Sequence, residues 1–259
     1  MDEMYTAFAG VYDEFMDNVP YGQWADFVTT YLKEHGVNDG IGADIGCGSG
    51  VATRLLAKQG YDMIGIDSSY EMLQAARTSS EDEILYLNQD MREMELFGTA
   101  AFMVSFCDSL NYITEKDELL SVFKLVNNYL DEGGYFIFDL NTPYKYKELL
   151  GENTIAETRE DKAFIWENYF DEESLINEYC LTLFLKNEDG GYERFEELHY
   201  ERCYSLLEIK ELLREAGMEF IEAFCDYTNE GYDEKNDSCM AERMVIIARE
   251  GHQEGKTYI

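Results

Sequence analysis

Residues 43–50 read Ala43-Asp44-Ile45-Gly46-Cys47-Gly48-Ser49-Gly50, closing a short apolar run at 41–45 and opening an amphipathic stretch at 51–59. Glycines at alternate positions let the backbone take positive φ and approach a ligand closely, because no Cβ stands in the way. Loops of this kind between a strand and a helix also serve dinucleotides, which need Gly or Ala at the sixth position. Counted from Gly46, that position is Val51. Asp44, at the mouth of the loop, would repel a pyrophosphate and attract a cation. A tight strand–helix turn with no ligand is the plain alternative.

From this loop the chain continues as alternating strand and helix. Apolar runs at 63–66, 84–87, 101–107 and 135–140 are separated by helical patterns near 70–78 and 116–130, the βαβ rhythm of a parallel sheet. Gly133-Gly134 reads as the stop of the last of these helices. Asp67, 21 residues after Gly46, follows the second run in Gly65-Ile66-Asp67-Ser68-Ser69. An acid at the carboxyl end of that strand accepts both hydroxyls of a ribose in Rossmann sites, or else it caps the next helix.

Beyond residue 149 the rhythm changes. Residues 163–170, 175–186 and 192–204 read as strands, the last two joined by a Glu188-Asp189-Gly190-Gly191 turn. Ser205 and Glu208 form a capping box for a helix over 205–216 that Gly217 stops. Two final strands follow near 219–226 and 243–249, with the acidic stretch 229–237 as the loop between them. Ahead of the first strand, residues 5–35 carry one or two helices dense in aromatics.

A chain of 259 residues with 46% hydrophobic residues and only 2 prolines buries a full core, as one α/β domain with an elaboration. No apolar run reaches the length of about 18 residues that spans a bilayer, and Met1-Asp2-Glu3-Met4 does not open a signal peptide. The six cysteines, Cys47, Cys107, Cys180, Cys203, Cys225 and Cys239, have no CxxC spacing and read as reduced thiols of a cytoplasmic protein, with no metal site. Fifty-four acidic residues against 20 basic ones leave a net charge of −34, a field that repels nucleic acid and anionic membrane. Even the densest basic groups, such as Lys145 with Lys147, are pairs surrounded by acids.

Taken in order, Asp44-x-Gly46-x-Gly48-x-Gly50, Asp67 with Ser68 and Met72-Leu73, Gln89-Asp90-Met91, and Phe106-Cys107-Asp108-Ser109-Leu110-Asn111-Tyr112 resemble the successive motifs of class I S-adenosylmethionine methyltransferases. Phe8-Ala9-Gly10-Val11-Tyr12-Asp13 with Pro20-Tyr21-Gly22-Gln23-Trp24 resembles the bacterial YqeM-like branch of small-molecule methyltransferases. The resemblance implies an α/β Rossmann-like seven-stranded mixed sheet, its last strand antiparallel, with an inserted antiparallel β cap. The core would be residues 1–149 and 205–250 with an N-terminal helical lid, and the cap residues 150–204 above the substrate site.

It also implies roles. The backbone of Gly46, Cys47, Gly48 and Gly50 lies along the methionine part of S-adenosylmethionine, and Asp44 holds its ammonium. Asp67 takes the ribose hydroxyls, while Ser68 and Met72 border the adenine. Asp90 accepts from the adenine amino group beside the Met91 backbone. Phe106 turns a carbonyl toward the ammonium, and Cys107 and Asp108 line the methyl-donor end. Tyr12, with Tyr21 and Trp24, closes the lid, unless that aromatic stripe simply faces the core. The acceptor is a small molecule methylated on N, O or C, and S-adenosylhomocysteine is released.

Methyl transfer from a sulfonium is an in-line displacement, so alignment and exclusion of water matter more than a dedicated base. Asp108, Asn111, Tyr112, His199 and Tyr200 are the candidates if a base is used, and none is assigned. Asn141-Thr142-Pro143-Tyr144 resembles an amide-methylating box but follows the fifth strand, not the fourth, and reads as a turn into the insertion. The aromatic insertion roofs a cavity or, alternatively, forms a homodimer surface. A non-catalytic binding protein of the same fold and an NAD-type oxidoreductase are the competing readings.

Overall fold

The computed structural model describes residues 11–80, 83–233, 240–252 and 256. Phe8-Ala9-Gly10 of the N-terminal motif, Cys239 and the end of the acidic stretch lie outside them. A short helix α1 (Tyr12–Phe15) and α2 (Tyr21–Glu34) precede β1 (Ile41–Ile45), α3 (Val51–Lys58), β2 (Asp62–Asp67), α4 (Tyr70–Ser79), β3 (Leu85–Asn88), β4 (Ala100–Ser105), α5 (Lys116–Tyr129) and β5 (Leu130–Asn141). After a π-helical turn at Lys145–Leu150 come β6 (Thr154–Thr158), β7 (Lys162–Asp171), β8 (Ile176–Lys186) and β9 (Tyr192–Arg202). The chain then returns through α6 (Leu206–Glu215), β10 (Glu219–Cys225) and β11 (Arg243–Arg249).

Seven strands form one sheet in the order β10-β11-β5-β4-β1-β2-β3. The run from β3 to β5 is parallel, and β11 is inserted antiparallel between β5 and β10. Both faces of the parallel strands must be covered, which explains their near-continuous apolar sequences. α5 and α6 bury Leu119, Phe123, Ile209 and Leu213 against one face. α2 and α3 bury Trp24, Val28, Leu32 and Leu56 against the other. Strand order reverses at β1, between β4 and β2, and a crevice at the carboxyl ends of such strands is where open α/β sheets bind ligands.

Two local readings change. Gly133 and Gly134 do not stop α5: Leu130 is already extended and pairs with Ala100, and the next pair is Phe102 with Tyr135. The glycines, Gly133 at φ +72°, form the bulge that takes up the extra residues. β6 was not legible, being a five-residue edge strand with little buried surface.

The insertion is a separate sheet, β6-β7-β8-β9, all antiparallel. Cross-strand register sets Phe170–Asn177–Glu201, Asn168–Tyr179–His199 and Trp166–Leu181–Glu197 in successive rows. On the opposite face Tyr169, Leu198 and Tyr200 are exposed, and this is the surface open to the homodimer expectation. No helix among the described residues is long and apolar enough to cross a membrane.

Candidate active site

The glycine loop is sewn onto β2 by Gly46 and Cys47, whose N–H groups donate to the Ile66 carbonyl at 2.8 and 3.0 Å. Gly46, Gly48 and Gly50 all have positive φ, +74°, +54° and +75°. Their surroundings differ. A Cβ at Gly50 would lie 2.6 Å from the Tyr86 hydroxyl, and one at Gly46 2.7 Å from Ser109 Cβ. At Gly48 it would meet only Met72 Cε at 3.8 Å, so this one glycine borders open space.

Two carboxylates flank the loop. Asp67 Oδ2 accepts from Gly48 N–H and Oδ1 from Ser69 N–H, both at 2.8 Å, so the acid clamps the loop and the start of α4 together. Burial raises its pKa against the pull of those backbone donors. Asp44 is buried, with Oδ2 accepting from Thr53 Oγ1 at 2.6 Å and Oδ1 without a partner among the described residues. Burial pushes its carboxyl up to about 7, with the Thr53 bond opposing and the charge of Asp67 adding. A buried oxygen without a donor is costly, and a cationic N–H donor is what it lacks.

Farther along, Met72 is buried in the first turn of α4, and exposed Ser68 offers its carbonyl to Asn88 Nδ2 at 2.9 Å. Both oxygens of Asp90 accept from Arg92 Nε, at 2.9 and 3.0 Å, which holds its carboxyl below the usual range. Met91 packs against the loop, its Cε 3.1 Å from where a Gly46 Cβ would stand.

At the end of β4, Cys107 and Asp108 both sit in left-handed backbone at φ 55° and 54°. Consecutive non-glycine residues there are strained, and something must hold them. That is Asp139 on β5, which accepts from Cys107 N–H at 3.1 Å and Asp108 N–H at 2.7 Å. Arg243 and the Tyr227 hydroxyl, at 2.9 and 2.6 Å, anchor Asp139 in turn. The Phe106 carbonyl accepts from Ser109 Oγ at 2.8 Å. Burial pushes the Cys107 thiol up to about 12, so it is inert as a nucleophile. Burial disfavours the Asp108 carboxylate, but Arg243 at 2.6 Å, then Lys145, outweigh it and lower the pKa.

The aromatics of the N-terminal stretch divide. Tyr21 Oη lies 3.2 Å from Cys107 Sγ and is also hydrogen-bonded to Tyr12, so these two reach the β4 end. Trp24 belongs to the core instead, stacked on Tyr227 at 4.7 Å with Arg243 over its ring at 5.2 Å. α1 is tied to both sides: Ser49 Oγ donates to Asp13, Phe15 meets Phe164 edge-on at 5.0 Å, and Glu14 pairs with Lys162 at 2.6 Å.

Among the candidate bases, Asn111 is structural: Nδ2 donates to the Arg202 carbonyl at 2.7 Å and Oδ1 accepts from Asn141 N–H. Tyr200 is exposed on the outer face of the cap. Tyr112 shares a hydrogen bond with Tyr179 of the cap, and His199, fully buried, stacks on Tyr179 at 4.6 Å with Nε2 3.3 Å from Glu197. Asp139, Lys145, Glu201 and Arg243 were not singled out by sequence. The available signals were an arginine opening a strand with an apolar middle, and a strand, β9, with the acids Glu197 and Glu201 on its inward positions.

Residues 43–134 match the methyltransferase domain family. The chain is 34% identical to YqeM of Bacillus subtilis (strain 168) over 99% of each protein. It is 26% identical to the dTDP-3-amino-3,4,6-trideoxy-alpha-D-glucopyranose N,N-dimethyltransferase of Streptomyces venezuelae, over 44% of this chain and 46% of that one. Its fold superposes on the crystal structure of an S-adenosylmethionine-dependent methyltransferase from Clostridium acetobutylicum ATCC 824 with a TM-score of 0.84, at 29% identity, over 96% of this chain and 99% of that one. A likeness running the whole length of both chains, on a sheet whose reversal point carries this glycine loop, means that the chain belongs to the class I S-adenosylmethionine-dependent methyltransferases, alongside YqeM.

Proposed function

We propose that this methyltransferase acts on a small-molecule acceptor enclosed between the carboxyl ends of β1 and β4 and the inserted cap, and that it works in the cytoplasm. The observation that carries this reading is the inner face of the cap. Its rows of Trp166, Tyr179, His199 and Glu201 are turned inward, and Tyr112 joins them to the β4 end. Such a lining, aromatic with a few polar groups, suits a small ligand. The amino-sugar methyltransferase relative, whose name gives a small-molecule acceptor, supports the same class. The net charge of −34 argues against a polynucleotide.

For the cofactor, the residues present fit. The orphan oxygen of Asp44 suits the ammonium, and the open face of Gly48 suits close approach of the methionine part. Asp67 suits the ribose and Met72, with Ser68, the adenine edge, near Asp90 and the Met91 backbone. Phe106, Cys107 and Asp108 border the methyl-donor end, with Tyr12 and Tyr21 over it. Bound there, the cofactor supplies an electrophilic methyl group. The chain's own task is to align the acceptor and keep water out. The oxidoreductase reading falls with family membership. A purely binding role is countered by the retention of Asp44, Asp67 and the Gly48 opening together.

The glycines give a direct test. Gly48→Val strains the backbone but meets little protein, so the variant folds, while calorimetry registers loss of S-adenosylhomocysteine binding. Gly50→Ala drives a Cβ into Tyr86 and lowers the melting temperature of the unliganded protein instead. Undiminished affinity in folded Gly48→Val refutes the loop assignment.

The acceptor class is tested by a metabolite screen read as S-adenosylhomocysteine release, beside a low-salt filter-binding titration with tRNA and duplex DNA. Turnover with a small molecule and no retention of polymer is expected. Micromolar tRNA binding with methyl incorporation into the polymer overturns the small-molecule reading.

A further inference from the structure

Along β9 the residues turned inward are Glu197, His199 and Glu201, while Leu198 and Tyr200 face outward at 46% and 45% exposure. A strand that covers a core for stability carries its apolar side inward. Burying the polar side costs desolvation, and the most buried acid of the cap is Glu201, 3% exposed. Its Oε2 accepts from Tyr146 Oη at 2.8 Å and from Asn141 Nδ2 at 3.4 Å.

The charges around it do not balance. Arg243, from β11, lies between Asp108 at 2.6 Å and Asp139 at 2.9 Å. Lys145, from the π-helical turn, donates to Asn141 Oδ1 at 3.0 Å, and among the described residues it pairs with Glu242 at 3.9 Å. Among the described residues, the carboxyl groups of Asp108, Asp139 and Glu201 therefore share two cations, Lys145 and Arg243. Burial, reinforced by Asp108, pushes Glu201 up to about 8, while the Tyr146 bond, Lys145 and Arg243 pull the other way. Burial, reinforced by Arg243, draws Lys145 down despite Asp108, Glu242 and Glu201.

We propose that this junction, bounded by the turn after β4, the π-helical turn and β9, is a subsite for the ammonium group of an amine acceptor, which supplies the missing positive charge beside Asp108 and Glu201. The inference rests on the reading that the chain methylates a small molecule near Asp108. Glu201 as carboxylate then takes one proton from the ammonium: an N–H bond breaks as an O–H bond forms, and the lone pair left on nitrogen is the nucleophile. An alcohol brings no charge and leaves the deficit in place, so amines are selected over their hydroxyl counterparts.

The test uses protein saturated with S-adenosylhomocysteine, above the pH of about 8 at which Glu201 ionises. Propylamine, cyclohexylamine and glucosamine are titrated against propan-1-ol, cyclohexanol and glucose, with melting temperature as the readout. At least one amine stabilises the complex and its alcohol does not. Glu201→Gln weakens the amine response at least about tenfold, the loss of one charge-assisted contact. Lys145→Met deepens the deficit and strengthens the response, so its opposite sign decides the matter if Glu201→Gln does not fold. Equal binding of alcohol and amine, a response unchanged in the folded variants, or no response to any amine overturns the proposal. Failure of S-adenosylhomocysteine itself to bind strikes the methyltransferase assignment instead.

Discussion

The affinity for S-adenosylhomocysteine rises by about a factor of ten per pH unit up to pH 7 and then levels off, and this slope disappears in Asp44→Asn. The sign follows from Asp44. Without ligand its burial holds the carboxyl at about 7, so below that pH the site is mostly protonated and has no charge to offer an ammonium. Binding then releases one proton, which calorimetry in buffers of different ionisation enthalpy measures directly. Because the folded-state pKa is raised above the ordinary 3.8, protonated Asp44 also stabilises the unliganded fold at low pH. That contribution is lost as pH rises through about 7, and its full size is about 4 kcal/mol at most. Asp44→Asn unliganded protein is accordingly more stable than wild type at pH 8, while binding more weakly. A pH-independent wild-type affinity removes Asp44 from the site.

Asp67→Ala weakens the same ligand by at least about a hundredfold, the order expected for two charge-assisted hydrogen bonds. Two causes overlap, since Asp67 also clamps Gly48 N–H and Ser69 N–H, and losing that clamp loosens the loop. The 2′,3′-dideoxy analogue separates them. Wild type binds the analogue far more weakly than the parent ligand, whereas Asp67→Ala binds the two nearly alike. Equal affinity of wild type for both leaves Asp67 as a loop clamp and nothing more.

The core was legible because its signals are local. The strand–glycine–helix unit at 41–58, the acid closing β2 and the capping box of Ser205 and Glu208 each lie within a few residues, and each appears as read. Gly133 and Gly134 misled because helix stop and strand bulge use the same glycine freedom, and only the pairing of Leu130 with Ala100 tells them apart. Trp24 stood open between lid and core because an aromatic stripe facing a site and one facing a core have the same spacing. The charged junction was invisible for a different reason. Asp108, Asp139, Lys145, Glu201 and Arg243 come from the turn after β4, β5, the π-helical turn, β9 and β11, and only the completed sheets bring them together. Its sequence traces, the arginine opening β11 and the inward acids of β9, become readable only once the faces of those strands are known.

The stack of Trp24 on Tyr227 beneath Arg243 has a practical corollary, since the chain holds only one other tryptophan, Trp166, packed against Tyr179 in the cap at 5.3 Å. One indole thus sits on each bank of the junction, each against different quenching neighbours. Removing either by a Trp→Phe exchange leaves a single intrinsic fluorophore, so emission from the cap can be followed apart from emission of the core while ligands are added, with no dye attached.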